Sequence, residues 1–267
     1  MSRSSLKSVM RLLDEVNTES SVESSFLEDL KRSIELTAAK NKRKPSQAYK
    51  PSSMNCIRSM YYQVIGAEPK PKKENTYSNI GICNSGSDIH QRIQQAVLDM
   101  QSNGIDCEYI NVADFVRSRN LDNLEIVKEP DFANGDYETK LFNKKLNISF
   151  LCDGIIRYKG RYYILELKTE KSSKFNARGG VDPKHHNQGI TYSLNLGIDD
   201  VIFVYINRDI LDMKSYMFNV TDNMRNGIVA KIQESDSYIQ KGEVPPKPEM
   251  SPSACDYCDY KYRCEKE

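Results

Sequence analysis

Three charged side chains stand inside an apolar stretch of this 267-residue chain: Asp153, Glu166 and Lys168, in the run LNISFLCDGIIRYKGRYYILELK at 146–168. Charges are rarely placed in a buried strand unless they are paired or bind a metal ion. The spacing is D-x12-E-x-K, so Glu166 and Lys168, two apart, point to one face of a strand. If Asp153 stands opposite Glu166 in an antiparallel pair, Arg157 falls opposite Tyr162. Residues 158–161 are then a four-residue loop, an ordinary hairpin length. Opposed residues have Cα atoms roughly 4.5–5.5 Å apart. Two carboxylates that close repel unless a cation lies between them. Hard oxygen ligands favour Mg²⁺ or Mn²⁺.

A second chemical pattern closes the chain. SACDYCDYKYRCEKE carries Cys255, Cys258 and Cys264 as C-x2-C-x5-C. Three thiols this close point to a metal or cluster site. Such a site wants four protein ligands, and the tail offers no fourth cysteine or histidine. The remaining candidates are Cys56, Cys83, Cys107 and Cys152.

The elements that must position these groups are legible in outline. Residues 146–156 and 162–167 read as neighbouring strands. Upstream, 5–17 and 22–39 read as two amphipathic helices. The segment KNKRKPSQAYK at 40–50, with five basic residues and no acid, is either a solvated linker or a phosphate-contacting stretch. Residues 51–66 read as a helix capped by Ser52 or Ser53 and closed by Gly66. Residues 77–102 form a long helical pattern with Gly86, His90, Ile93 and Val97 on one face. Strand character begins within 104–145. The loop 171–180 carries Lys171, Lys174 and Arg178, placed to touch a substrate. Asp182 and Pro183 open a helix by the N-cap and first-turn proline rule. On it Gln188 and Tyr192, four apart, share a face. His185 and His186 lead into that helix rather than forming a second metal site. Strands follow at 200–206 and 214–220, then a helix from Thr221 or Asp222 to 241.

Composition narrows the classes. With 28% charged residues and a net charge of +1, no global basic field marks a nucleic-acid partner, so any such binding uses local patches. No apolar run approaches the roughly 18 residues needed to span a membrane. The N-terminus lacks the apolar core and cleavage site of a signal peptide, which predicts a cytoplasmic protein. Seven cysteines, unevenly spread, do not suggest a disulfide framework.

The set as a whole resembles the PD-(D/E)XK superfamily, in particular the RecB-type nucleases that carry an iron–sulfur cluster, the group containing Cas4, AddB and Dna2. In that family one cysteine precedes the nuclease core and three follow it, matched by Cys56, Cys255, Cys258 and Cys264. A histidine on a helix before the sheet is matched by His90, the G-x-x-D-like strand by Asp153, E-x-K by Glu166 and Lys168, and Q-x3-Y by Gln188 and Tyr192. Phe150 stands where the family has glycine. The resemblance runs from about 51 to 267.

It implies an α/β, restriction-endonuclease-like core with a central mixed sheet flanked by helices, preceded by a helical extension over 1–50 and closed by the cysteine cluster. It further implies a divalent metal held by His90, Asp153, Glu166 and the carbonyl of Leu167. Lys168 would activate water, and Gln188 and Tyr192 would contact DNA or steady Lys168. The four cysteines would hold a [4Fe–4S] cluster. Zinc, the other four-thiolate option, usually draws on two local pairs of ligands, whereas here one is 199 positions from the next. The activity implied is Mg²⁺- or Mn²⁺-dependent hydrolysis of phosphodiester bonds, with exonuclease action on single-stranded DNA or DNA ends. No GxxxxGK[ST] motif occurs, so the chain would either work alone, as Cas4 does, or borrow a motor from a helicase or recombination partner. The competing reading is a catalytically silent iron–sulfur protein that binds DNA as a scaffold.

Overall fold

A computed structural model describes residues 3–40, 46–69, 76–249, 255 and 258–266, with side chains from residue 22 onward. The middle of the basic stretch at 41–45 and the lysines at 70, 72 and 73 lie outside the described residues. The chain divides into two compact units, Met1–Lys44 with Pro71–Asn84, and Pro45–Lys70 with Ser85–Glu267.

In the first unit the two helices expected before residue 40 are one, α1 (Arg3–Lys40). Nothing in 18–21 breaks it: that stretch has neither proline nor glycine, and polar residues alone do not end a helix. The start of α3 (Tyr77–Leu98) belongs to this unit, where Glu35 accepts from the Tyr77 backbone N–H at 2.9 Å.

The second unit is α/β. Its main sheet has the order β1-β5-β6-β7-β8, from β1 (Cys107–Ile110), β5 (Gly154–Tyr158), β6 (Arg161–Glu170), β7 (Asp200–Asn207) and β8 (Met213–Asn219). The sheet is mixed. Only β6 and β7 are parallel, joined through α5 (Ser172–Asn176) and α6 (Pro183–Leu196). A second antiparallel sheet holds β2 (Leu124–Lys128), β3 (Thr139–Asn143) and β4 (Ile148–Cys152). This is the α/β arrangement that the resemblance implies, a central mixed sheet with helices on both faces.

Strand alternation sorts β6 between two cores. Leu165 and Leu167 join Ile206 and Tyr109, with Ile89, Ile93 and Val97 of α3 against them. Ile164 joins Val201 and Phe203 with Ile190, Tyr192 and Leu196 of α6. α6 lies so close to the sheet that a Cβ on Gly189 would sit 3.0 Å from the Phe203 ring. Asp182 caps α6 through the Lys184 N–H, with Pro183 in its first turn. Thr221 caps α7 (Asp222–Lys241).

Two local expectations change. The helix expected over 51–66 is a 3₁₀ turn at Pro51–Ser53 followed by α2 (Ile57–Val64), whose N-cap is Cys56 with no side-chain hydrogen bond. The stretch 146–156 is not one strand. It breaks at Asp153, where the chain leaves the three-stranded sheet as β4 and enters the five-stranded sheet as β5. Ala48 and Tyr49, just N-terminal to residue 51, are buried in this unit. The Tyr49 backbone joins the edge of β4, its N–H donating to Asn147 and its carbonyl accepting from Ser149.

Candidate active site

The β5–β6 hairpin has the expected register, with Gly154 opposite Leu165 and Arg157 opposite Tyr162. Its turn is tighter than the four-residue loop, because Tyr158 also pairs with Arg161. Lys159 and Gly160 alone make the turn, both at positive φ (48° and 77°), the type I′ geometry whose twist suits a two-residue hairpin.

Continuing this register one step past Gly154 and Leu165 brings Asp153 opposite Glu166. Asp153 is fixed from three directions. Its carbonyl accepts from Gln94 of α3 at 2.7 Å and from the Tyr109 hydroxyl at 2.8 Å. Its Oδ2 accepts from the Leu167 N–H at 2.7 Å. Its Oδ1 faces His90 Nδ1 at 3.8 Å. Gly154 follows because a Cβ there would lie 2.8 Å from the Tyr109 ring. Along α3, Gly86 lets the helix approach β6, with Thr169 Oγ1 at 3.2 Å from where a Cβ would be.

Glu166 is 2% exposed. Its Oε1 accepts from Lys168 Nζ and, at 2.7 Å, from Gln188 Nε2. Its Oε2 is buried with no hydrogen-bond partner among the described residues. Gln188 also donates to the Tyr192 hydroxyl at 2.8 Å, and that hydroxyl donates to the Leu151 carbonyl at 2.8 Å. Gln188 thus steadies Glu166 rather than Lys168. Tyr192 is 3% exposed and braces Gln188 through its hydroxyl.

Burial, then the neighbouring Asp153 charge, push the Glu166 carboxyl up to about 8, and Lys168 offsets this only in part. Burial alone would lower the Lys168 ammonium, but Glu166 and Asp153 beside it raise it, so the amine stays charged. Burial lowers the His90 imidazole; Asp153 opposes this and Lys168 adds to it. A neutral imidazole is the form that ligates metal. His90, Asp153 and Glu138 each bring one ligand atom within 4.8 Å of the others, a carboxylate and histidine set that could hold a metal ion. The donors fit a hard divalent cation. Glu166, expected to share the ion with His90 and Asp153, is not in this convergent set; its unpartnered oxygen is a buried acceptor that a cation would satisfy. Glu138 did not stand out in the sequence. The signal available was an acid just before β3, the strand that pairs with β4.

The remaining sequence candidates separate clearly. Lys174 and Arg178, expected to touch a substrate, are instead tied to acids. Arg178 donates through Nε (2.7 Å) and Nη2 to Glu170, and Lys174 pairs with Glu170 at 2.9 Å and Asp182 at 3.0 Å. The Arg178 guanidinium lies 3.9 Å from the centre of the Tyr205 ring. Lys171 of the same loop is exposed. His185 stacks on Tyr205, with Nδ1 2.9 Å from its hydroxyl, and is lowered to about 4 by burial and by Lys168. His186 stacks on Phe218. Neither histidine belongs to a metal-binding group among the described residues.

Cys56, Cys255, Cys258 and Cys264 are all half-buried and unbridged. Cys258 and Cys264 pack against Tyr61, Tyr62 and Tyr260. Burial raises the Cys56 thiol, the backbone N–H groups of Ser59 and Arg58 pull it down, and Cys258 and Cys264 add to the rise. The structure thus brings the first cysteine within electrostatic reach of two of the last three. No three of these thiols lie within 4.8 Å of one another. Beside them Arg58 is 5% exposed. It donates from Nη1 to the Pro245 carbonyl at 2.6 Å, while Nε and Nη2 have no partner among the described residues. A buried guanidinium with idle donors next to a set of thiols suits a thiolate-bound, anionic metal group. Cys83 is exposed, and Cys107 and Cys152 are buried.

No protein-family model matches the chain, and neither does any curated protein. Among solved structures, that of SSO0001 is 17% identical, with 89% of this chain and 96% of that one covered and a TM-score of 0.48. An alkaline exonuclease from Laribacter hongkongensis, LHK-Exo, is 11% identical, with 74% and 90% covered and a TM-score of 0.38; its complex with dAMP gives 0.39. Likeness at this level concerns the path of the chain and not its chemistry.

Proposed function

We propose that this protein is a metal-dependent nuclease that hydrolyses phosphodiester bonds in DNA, acting as an exonuclease on single strands or free ends. The observation that carries the reading is the Glu166 carboxylate. It is buried in register with Asp153, one oxygen is held by Lys168 and Gln188, and the other is unpartnered. An apolar strand holding such a group without a cation is costly.

In this reading His90, Asp153 and Glu166 hold Mg²⁺ or Mn²⁺, with the Leu167 carbonyl as a further ligand by family resemblance. A bound divalent ion there supplies charge to the phosphate and lowers the pKa of coordinated water. The chain's own residues define where chemistry occurs. Lys168 Nζ, charged and 21% exposed, offers its remaining donors to a phosphate oxygen or an attacking water. Gln188, braced by Tyr192 and through it by the Leu151 carbonyl, fixes the Glu166 rotamer. The Leu167 N–H fixes that of Asp153. We infer further that Cys56, Cys255, Cys258 and Cys264 hold a [4Fe–4S] cluster.

The test is cleavage of end-labelled single-stranded and double-stranded DNA by anaerobically purified protein with Mg²⁺, with Mn²⁺ and with chelator. Ion-dependent release of nucleotides, abolished by chelation, is expected. Intact DNA under every ion condition would leave a binding protein in place of an enzyme. A matched RNA strand, cut more slowly or not at all, checks the substrate class.

A further inference from the structure

We propose that Glu138 is a protein ligand of the divalent cation, alongside His90 and Asp153, so that the site is a row of three carboxylates and not a pair. The inference rests on the cation site of the proposed nuclease and adds to it a residue that stands just before β3, a strand of the other sheet.

Strand register makes the first argument. β3 and β4 pair with Thr139 opposite Cys152. One step further along the same ladder, Glu138 comes opposite Asp153. On its other side Asp153 comes opposite Glu166, one step beyond Gly154 and Leu165. Asp153 sits where the chain passes from one sheet to the other, and that passage lines up one acid on either side of it. Opposed residues on paired strands lie close enough for their side chains to share a ligand.

Distance makes the second. One carboxylate oxygen of Glu138, one ligand atom of His90 and one oxygen of Asp153 all lie within 4.8 Å of each other. Rigidity makes the third. The Tyr109 hydroxyl reaches the Asp153 carbonyl at 2.8 Å and the Tyr137 carbonyl at 3.3 Å, tying the residue before Glu138 to Asp153 itself. The Tyr137 hydroxyl donates to Gln95 of α3, the helix that carries His90. Tyr137 and Thr139, on either side of Glu138, are buried, while Glu138 itself is half-buried. The buried, unpartnered Oε2 of Glu166 is an independent sign that a cation belongs here. Three acids held this close by fixed backbone repel one another in its absence. A ligand acid and a merely structural acid therefore behave oppositely when neutralised.

The experiment measures Mn²⁺ binding by calorimetry, and thermal unfolding with and without Mn²⁺, on the full chain and on the variants Glu138→Gln and Asp153→Asn. Wild-type protein should bind Mn²⁺ and D153N should lose binding. E138Q should bind about 10- to 100-fold more weakly, and its midpoint without metal should equal or exceed that of wild type. Glu138→Asp keeps the charge but draws it back by one methylene. It should also weaken binding, by less, and it supplies the readout if E138Q does not fold. Wild-type affinity in E138Q, or in E138D should E138Q not fold, while D153N has lost binding, overturns the role of Glu138 and leaves the nuclease reading standing. Failure of wild-type protein to bind Mn²⁺ at all overturns both.

Discussion

At the scale of single residues, Lys168 and Gln188 have separable duties. The Lys168 ammonium is the only cation paired to Glu166 among the described residues, and it is partly open to solvent. Lys168→Ala should lower the cleavage rate by about 10²–10³-fold, as loss of a preorganised transition-state donor does, while DNA binding persists. Gel shift and single-turnover assays on one preparation check both halves. Gln188 touches Glu166 and Tyr192 and sits one shell back. Gln188→Ala should reduce activity by about 10–100-fold and weaken Mn²⁺ binding along with it. A variant that loses rate at unchanged Mn²⁺ affinity would place Gln188 against the substrate instead. The residue types and their spacing were legible because strand and helix periods are short: two for Glu166 and Lys168, four for Gln188 and Tyr192. What Gln188 and Tyr192 touch was not legible, since it depends on how closely α6 lies on the sheet.

At the scale of elements, two packings hold the site in place. The first is the chain break at Asp153, where Gly154 makes room for the Tyr109 ring. Gly154→Ala forces a methyl to 2.8 Å from that ring, an overpacking worth about 1–3 kcal/mol. Denaturant unfolding should show that loss, with reduced Mn²⁺ affinity because Asp153 moves with its neighbour. The second is the loop between β6 and α6, pinned by Arg178, Lys174, Glu170 and Asp182. The Glu170 and Arg178 side chains are 4% and 6% exposed, so Arg178→Ala leaves a buried acid with one flexible partner. A loss of about 3–5 kcal/mol is expected by urea titration.

The same network sets an acid limit. Burial opposes it, but Arg178 and Lys174 hold Glu170 below its ordinary range, and Lys174 with the Lys184 N–H brings Asp182 from 3.8 to about 2. Acids lowered on folding stabilise above their unfolded values, and that stabilisation is lost as pH falls through the folded ones. Midpoints should therefore drop between roughly pH 4 and pH 2, and the drop should be smaller in an Asp182→Asn variant. The loop's basic residues looked in the sequence like substrate contacts, because Glu170 and Asp182, 12 residues apart, gave no sign that they would meet around Arg178.

At the scale of the whole molecule, the second unit is closed by contacts between its two ends. Tyr62 of α2 lies against Tyr260, with ring centres 5.6 Å apart, and the Arg263 guanidinium lies over Tyr62. Cys258 and Cys264 pack on this cluster and Cys56 stands nearby. A metal group across these thiols would link positions 199 residues apart, and ligand binding to the folded state alone adds directly to stability. Anaerobically purified protein should be brown, with broad absorbance near about 400 nm from thiolate-bound iron. Cys258→Ser should be pale and melt at a lower temperature. A colourless wild-type protein carrying stoichiometric zinc would remove the iron–sulfur assignment and leave the closure intact. No described helix is long and apolar enough to cross a membrane.

The sequence by itself determined what alternation and short spacing control: the β5–β6 register, the faces of Glu166 and Lys168, and the caps of α6 and α7. Each rests on residues a few positions apart, whose geometry is fixed by backbone periods. Tertiary structure alone decided that 146–156 is two strands in two sheets, that Arg178 serves Glu170 rather than a substrate, and that Glu138 comes into line with Asp153. Those outcomes depend on pairings between distant segments. No local pattern encodes them, because a charged side chain takes its role from whatever the fold brings against it.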